Sequence, residues 1–262
     1  MTNTPVAMTG SSLFDLTGKT ALVTGASRGL GLAMALALAE AGCDVAVNAR
    51  TEEALKEVLG AIKKLGRKAV AVPGDVSSEK EVQQMVDAAV QGLGRIDILL
   101  NNAGLWEGSY LVRLTKADWD KVIQVNLTGA FLMAKAVGKV MLKQRSGKII
   151  NTSSVLGFKS SPQSLVYAAT KAALIQMTKV IALELGPAGV RVNAIAPGFF
   201  ETDMTKRYHE DPDRLDAYVS RIPLRKTGRP EDLAGLIVFL ASSASDHITG
   251  QTIVIDGGES LV

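Results

Sequence analysis

One stretch near the amino terminus limits the possible folds of this chain more than any other. An apolar run, Thr20-Ala21-Leu22-Val23, breaks at Thr24-Gly25-Ala26-Ser27-Arg28-Gly29-Leu30-Gly31 and continues as an alanine- and leucine-rich helical pattern as far as Ala41. A strand that passes through a glycine turn into a long helix is the first half of a crossover, so the strand that follows pairs in parallel. The turn is also an anion cradle. Glycines allow close backbone approach, while unpaired N–H groups and the dipole of the helix amino terminus attract negative charge.

The same alternation repeats along the chain. Strand-like runs fall at 20–24, 44–49, 69–72, 96–101, 148–152, 191–196 and 252–255, with helical patterns starting near Leu30, Glu52, Glu79, Lys116, Ser164 and Pro230. This pattern predicts an α/β protein: a single-domain Rossmann fold, a doubly wound seven-stranded parallel sheet with helices on both faces. At 262 residues and 47% hydrophobic composition the chain can bury one full core. The expected division is a flexible N-terminal tail at 1–13 and one domain at 14–262. Within the domain, the segment 199–229, rich in charge and holding Pro212 and Pro223, is a strand-to-helix excursion long enough to be a lid.

Composition narrows the function classes. The net charge of +3, without a basic cluster interleaved with aromatics, argues against nucleic acid as a partner. A single cysteine, Cys43, excludes an internal disulfide, and with only two histidines, His209 and His247, both expected at the surface, no metal site is expected. Met1 to Ser12 lack the pattern of a secretion signal, and no apolar run of membrane-crossing length stands out. A cytoplasmic location is therefore expected, with no membrane partner.

The chemistry gathers around Tyr167-Ala168-Ala169-Thr170-Lys171, thirteen residues beyond Ser154. Helix positions i and i+4 share a face, so the lysine cation lies beside the phenol, where a positive neighbour favours the phenolate. Ser153 is the alternative hydroxyl. Successive residues at a strand end face opposite ways, so only one of the two serines points into the site, and the interval to the tyrosine selects Ser154.

The glycine turn reads Gly-x-x-x-Gly-x-Gly rather than Gly-x-Gly-x-x-Gly. Together with Asn101-Asn102-Ala103-Gly104, Asn126, Ser154, Tyr167-x-x-x-Lys171 and Pro197-Gly198, in that order, the chain resembles the short-chain dehydrogenase/reductase family from Leu16 to Gly258. The resemblance implies hydride transfer between a nicotinamide and a carbonyl or secondary alcohol. Tyr167 would then be the proton carrier, Ser154 the group that polarises the substrate oxygen, and Lys171 the holder of the nicotinamide ribose. Asn126 would support a water-linked proton relay. For the cofactor it implies Gly25, Ser27, Arg28, Gly29, Leu30 and Gly31 at the turn, with Asp75 and Val76 near the adenine. Asn102, Ala103 and Gly104 would run along the adenosine. Tyr167, Lys171, Ile195, Pro197, Gly198 and Thr202 would surround the nicotinamide. Asp75 also reads as a helix cap, and Trp106, just past Gly104, is either packing or a substrate contact.

Cofactor choice follows from the end of the second strand. An enzyme selecting NAD usually carries an acid there, whereas this chain has Ala49 followed by Arg50, and Arg28 stands in the glycine turn, so NADP(H) is expected over NAD(H). Glu52 and Glu53 are expected to point away. For the substrate, Pro197-Gly198-Phe199-Phe200-Glu201-Thr202-Asp203-Met204 resembles the 3-oxoacyl-acyl carrier protein reductases. Arg145 matches one of their two carrier-docking arginines, while Ala188 stands at the other, which weakens an acyl carrier protein as partner. Segments 14–19, 136–139 and 221–223 resemble gluconate 5-dehydrogenase-like sugar-acid enzymes. A dinucleotide-binding sensor is a third reading, but it would be marked by loss of a catalytic position, and all four are present. The family habit of pairing helices between subunits implies a homotetramer.

Overall fold

The computed structural model describes residues 10–262, in which the strands are β1 (Thr20–Val23), β2 (Asp44–Val47), β3 (Ala69–Ala71), β4 (Ile98–Asn101), β5 (Gly147–Thr152), β6 (Val190–Pro197) and β7 (Thr252–Ile255). They form one sheet in the order β3-β2-β1-β4-β5-β6-β7, and every pairing is parallel. The helices are α1 (Gly29–Glu40), α2 (Lys56–Lys64), α3 (Glu79–Leu93), α4 (Lys116–Ile123), α5 (Ala130–Gln144), α6 (Leu165–Leu185), α7 (Lys206–His209), α8 (Pro212–Val219) and α9 (Ala234–Ala241).

The central strands are covered on both faces, which is why they read as unbroken apolar runs. Along β1, Ala21 and Val23 join the core under α1 and α9, while Leu22 between them joins the core under α3 and α5. Strand limits agree with the sequence expectation to within two residues. Helix starts are set by local chemistry: Ser78 caps α3 by accepting from the Glu81 N–H at 3.3 Å, and Thr115 caps α4 by accepting from the Asp118 N–H at 3.1 Å.

Four features differ from the sequence expectation. The helical pattern from Lys116 is not one helix, because a π-helical turn, Gln124–Gly129, separates α4 from α5 and carries Asn126. The excursion 199–229 holds two short helices. Pro212 occupies the first turn of α8 behind an Asp211 cap, where its missing N–H costs nothing. Of the expected tail, residues 10–13 lie in a 3-10 turn, Gly10–Phe14, with the Ser243 hydroxyl donating to the Leu13 carbonyl; residues 1–9 fall outside the described residues. Finally, two helical stretches, Lys116–Gln144 and Leu165–Ala188, are long and apolar enough to cross a bilayer by composition, although no such run was expected. Their apolar residues serve the sheet: Leu132, Met133, Val137 and Met141 of the first and Ala182 of the second are buried in the core beneath α3 and α5.

Candidate active site

The carboxyl ends of β1, β4, β5 and β6 lie side by side, and the residues that follow them meet in one crevice. After β1, Gly25 and Gly29 take positive φ of 64° and 55°, and a Cβ on Gly31 would stand 2.1 Å from the Gly25 carbonyl oxygen. Only glycine packs at Gly31. Ser27 and Leu30 are half-buried in this turn. Unlike α3 and α4, α1 begins without a side-chain cap and without an acid in its first turn. Its leading N–H groups have no hydrogen-bond partner among the described residues, and a phosphate is the kind of group that such an end accepts.

Neighbouring strands hold this cradle in place. Asn102 donates from its side-chain amide to the carbonyls of Thr24 and Gly25 at 3.1 and 3.3 Å, and the Thr24 hydroxyl accepts from the N–H groups of Asn102 and Ala103 at 2.9 and 3.0 Å. Asn102 thus braces the turn with its side chain. Asn48, which sequence reasoning did not single out, is buried and donates to the carbonyls of Val72 and Gly74, both at 3.0 Å. At the end of β3, Asp75 accepts from the N–H and hydroxyl of Ser77 at 2.8 and 2.7 Å, beside a buried Val76. The cap of α3 is Ser78, so Asp75 shapes the turn ahead of the helix.

At the end of β2, Ala49 is buried and neutral, and Arg50 is exposed with no carboxylate partner among the described residues. Glu53 is turned to Lys56, 2.5 Å away. Arg28 departs from the expectation of a free cation: its guanidinium lies 3.2 Å from the Asp203 carboxylate, with both side chains largely exposed. A pair that open to water contributes about 0 to 1 kcal/mol, so an incoming phosphate can displace it.

The Ser154 hydroxyl, which accepts from the Leu156 N–H at 3.2 Å, lies close enough to the Tyr167 phenol to favour its charged form. Ser153 faces the other way and donates to the Lys171 carbonyl at 2.8 Å, which separates the two serines as the strand alternation required. Lys171 is buried, its ammonium donates to the Thr152 carbonyl at 2.7 Å, and its Nζ lies 5.3 Å from the centre of the Tyr167 ring. The expected depression of the phenol does not appear. Burial pushes Tyr167 up to about 12, against the opposing effect of Ser154, and pushes Lys171 down to about 8. Removing both groups from water penalises the two charged forms more than their proximity rewards them.

Asn126 is fully buried on the π turn. Its amide oxygen accepts from the Leu105 N–H at 2.9 Å and its amide nitrogen donates to the Leu105 carbonyl at 2.8 Å. These two hydrogen bonds to one residue pin the loop after β4, Gly104 included, to the helix layer. π turns inside helices often mark functional sites, and this one is invisible to a helical-periodicity argument.

The excursion 199–229 leaves β6 at Pro197-Gly198. Its ends meet where Phe200 bridges to Gly228, and a Cβ on Gly228 would stand 2.7 Å from the Phe200 ring. Thr202 stands over the glycine turn, within 3.5 Å of where a Cβ on Gly29 would lie. Arg207 of α7 stacks on Trp106, 4.2 Å from ring centre to guanidinium carbon. His209, expected at the surface, is half-buried and stacks on Phe199 with ring centres 5.6 Å apart.

Glu259 closes the base of this excursion, and no sequence signal marked it. It is buried; one oxygen accepts from the Phe199 N–H at 3.1 Å, and the other accepts from the Tyr218 hydroxyl at 2.7 Å and pairs with Lys159 at 3.3 Å. One carboxylate therefore joins the loop after β6, α8 and the loop beyond Ser154. Arg145, by contrast, precedes β5, and Ala188 precedes β6. Both lie at the amino ends of the strands, opposite the crevice.

Comparison with known proteins agrees along the chain. A family model described as enoyl-(acyl carrier protein) reductase matches residues 25–260. A 3-oxoacyl-[acyl-carrier-protein] reductase from Synechocystis is 47% identical over 245 residues, covering 93% of this chain and 97% of that one. The corresponding reductase from Thermotoga maritima is 43% identical, covering 93% and 98%. Among solved structures, a gluconate 5-dehydrogenase from Burkholderia cenocepacia in complex with NADP and tartrate superposes with a TM-score of 0.94 at 36% identity, covering 97% of this chain and all of that one.

Proposed function

The chain belongs to the short-chain dehydrogenase/reductase family of oxidoreductases acting on CH–OH and C=O groups, and from that premise we propose an NADP(H)-dependent reductase of a 3-oxoacyl thioester. The observation that carries the reading is the Ser154–Tyr167–Lys171 cluster lying beside an uncapped helix terminus on the same crevice. Support for the substrate comes from the named activity of the 43–47% identical relatives and from the Phe199–Met204 stretch. The second reading is a sugar-acid dehydrogenase, favoured by the likeness to the gluconate 5-dehydrogenase.

In this mechanism Gly25, Ser27, Arg28, Gly29, Leu30 and Gly31 hold the cofactor's phosphates, and Asp75, Val76, Asn102, Ala103 and Gly104 bound its adenosine half. Pro197, Gly198 and Thr202 bound the nicotinamide. When bound, the nicotinamide supplies or receives the hydride. The chain's own work is proton handling. Tyr167 donates its proton to the substrate oxygen, and Ser154 hydrogen-bonds that oxygen and fixes it in place. Lys171, lowered to about 8 by burial, lies close enough to neutrality to return a proton toward Tyr167, and it would also hold the nicotinamide ribose. The side-chain amide of Asn126 bonds Leu105 twice and reaches the Thr170 hydroxyl at 3.5 Å, which fixes the helix layer beside the relay.

A substrate panel followed by reduced-nicotinamide absorbance, with each cofactor in turn, tests the whole reading. Acetoacetyl thioester reduction should exceed gluconate oxidation, and clean turnover of gluconate alone would reverse that order. NADPH should be preferred. Each charge-assisted phosphate contact contributes roughly 1.5–3 kcal/mol, so Arg28→Ala with Arg50→Ala should lower kcat/KM for NADPH by at least about tenfold, with little change for NADH. Unchanged selectivity in the double variant would remove these arginines from the mechanism.

We also propose a homotetramer in the cytoplasm, supported by large apolar side chains left on the outer faces of the two longest helical layers: Phe131 and Leu142 on α5, and Leu165, Val180 and Leu183 on α6. Sedimentation at micromolar concentration should give four copies, and a monomer would overturn the assignment.

A further inference from the structure

The lid carries a cation whose position the fold dictates. In the sheet order, β5 lies between β4 and β6, and Ser154 follows β5. Trp106 belongs to the loop after β4, one residue beyond the Leu105 backbone that Asn126 grips, while Arg207 belongs to the excursion after β6. A contact between Trp106 and Arg207 therefore has to pass over the end of β5, across the mouth of the crevice. The structure makes that contact, with the guanidinium 4.2 Å from the indole centre and 5.1 Å from the ring of Tyr208.

Among the described residues Arg207, like Arg221 and Arg225 of the same excursion, has no carboxylate partner, and of these three it is the one that lies over an aromatic ring across the crevice. The acids around it are already taken: Asp203 pairs with Arg28, Glu210 with Lys206, and Asp211 with Arg214. Among the described residues Arg207 has no carboxylate partner and makes no hydrogen bond to a protein acceptor. Stacking uses the flat face of a guanidinium and leaves the N–H edge free, in a geometry that suits the two oxygens of a carboxylate or phosphate.

We propose that Arg207, oriented by Trp106, receives the anionic group of the substrate at the mouth of the crevice. The proposal rests on the reading of Ser154 and Tyr167 as the reacting centre. It makes Arg207 a specificity-determining residue for an oxyanion remote from the carbonyl. Two sources carry that chemistry: the carboxylate of a sugar acid, and the phosphate on the pantetheine arm of a thioester.

The test compares three substrates with NADP(H) as the cofactor: acetoacetyl-CoA, gluconate and the uncharged ethyl acetoacetate, for the wild type, Arg207→Gln and Arg207→Lys. The ratio of kcat/KM between the preferred charged substrate and ethyl acetoacetate should fall about tenfold or more in Arg207→Gln, mainly through KM, and recover in part in Arg207→Lys. Whichever charged substrate loses more identifies the source of the anion. An equal loss on all three substrates would mean that Arg207 only braces the lid, and no loss on any would remove it from recognition; either result overturns the proposal. A second readout is independent of turnover. Titration with tartrate and with inorganic phosphate should change the fluorescence of Trp106 in wild type, and Trp106→Phe identifies its share of the signal. The same titration of Arg207→Gln should leave the signal flat. Absence of the change in wild type would overturn the anion site whatever the activity, whereas a clear change without turnover of any substrate would sink the reductase reading and leave the site standing.

Discussion

Tyr167→Phe is expected to lower turnover by roughly 10² to 10⁴ while the affinity for reduced cofactor stays within a few-fold. The substitution removes one oxygen and keeps the ring, so the packing beside Lys171 survives. What is lost is the hydroxyl that faces Ser154. Because burial holds this phenol up to about 12, it is protonated throughout the neutral range and ready to donate, which suits the reductive direction. The measurement pairs steady-state kinetics with a cofactor titration by nicotinamide fluorescence. If the variant kept more than a tenth of the wild-type kcat, Tyr167 would not be the proton carrier.

Lys171→Met should separate catalysis from stability. Turnover should fall by about 10² or more, since the cation beside the phenol and the route for its proton are both removed. Stability should move the other way. In the folded chain Lys171 is lowered from 10.5 to about 8 by burial, so below pH 8 the native state bears the full cost of a buried ammonium. Between about 8 and 10.5 the unfolded chain binds a proton that the native state has released, and stability therefore rises with pH across that window. The whole effect is roughly 3 kcal/mol. Cys43, whose thiol is raised by burial, and Tyr167 act with the opposite sign at high pH, because the native state holds their protons longer. The informative quantity is thus the difference between wild type and variant in cofactor-free denaturant unfolding. The methionine variant should lead below pH 8, and its lead should shrink as the pH climbs to 10.5. Parallel curves for the two proteins would show that Lys171 is not a strained ammonium.

The framework was legible in the sequence because its signals are local. Apolar runs of four to eight residues bounded by glycine marked every strand, and the sheet then carried Gly25, Asn101, Ser154 and Pro197 to the same end without further information. What could not be read depends on contacts between distant segments. Nothing in Val125-Asn126-Leu127 announces a π turn, since the extra residue is stabilised by bonds to Leu105. The bracing of the glycine turn by the Asn102 amide, through two carbonyls, likewise has no sequence signal. The rule that a neighbouring cation lowers a phenol was sound, but it left out the burial that only the folded chain reveals. The pairing of Arg28 with Asp203 and the stack of Arg207 on Trp106 both link the excursion to other strand ends, and no spacing argument connects them.

Glu259 changes what opening this crevice can mean. If 199–229 swung out alone, the carboxylate would stay behind beside Lys159, stripped of the Phe199 N–H and the Tyr218 hydroxyl. A buried carboxylate that loses two of its hydrogen bonds and keeps one ion pair is costly to leave in place. The less costly path carries the segment around Glu259 out with the excursion. Two stretches far apart in the chain are in this way tied into one unit by a single carboxylate.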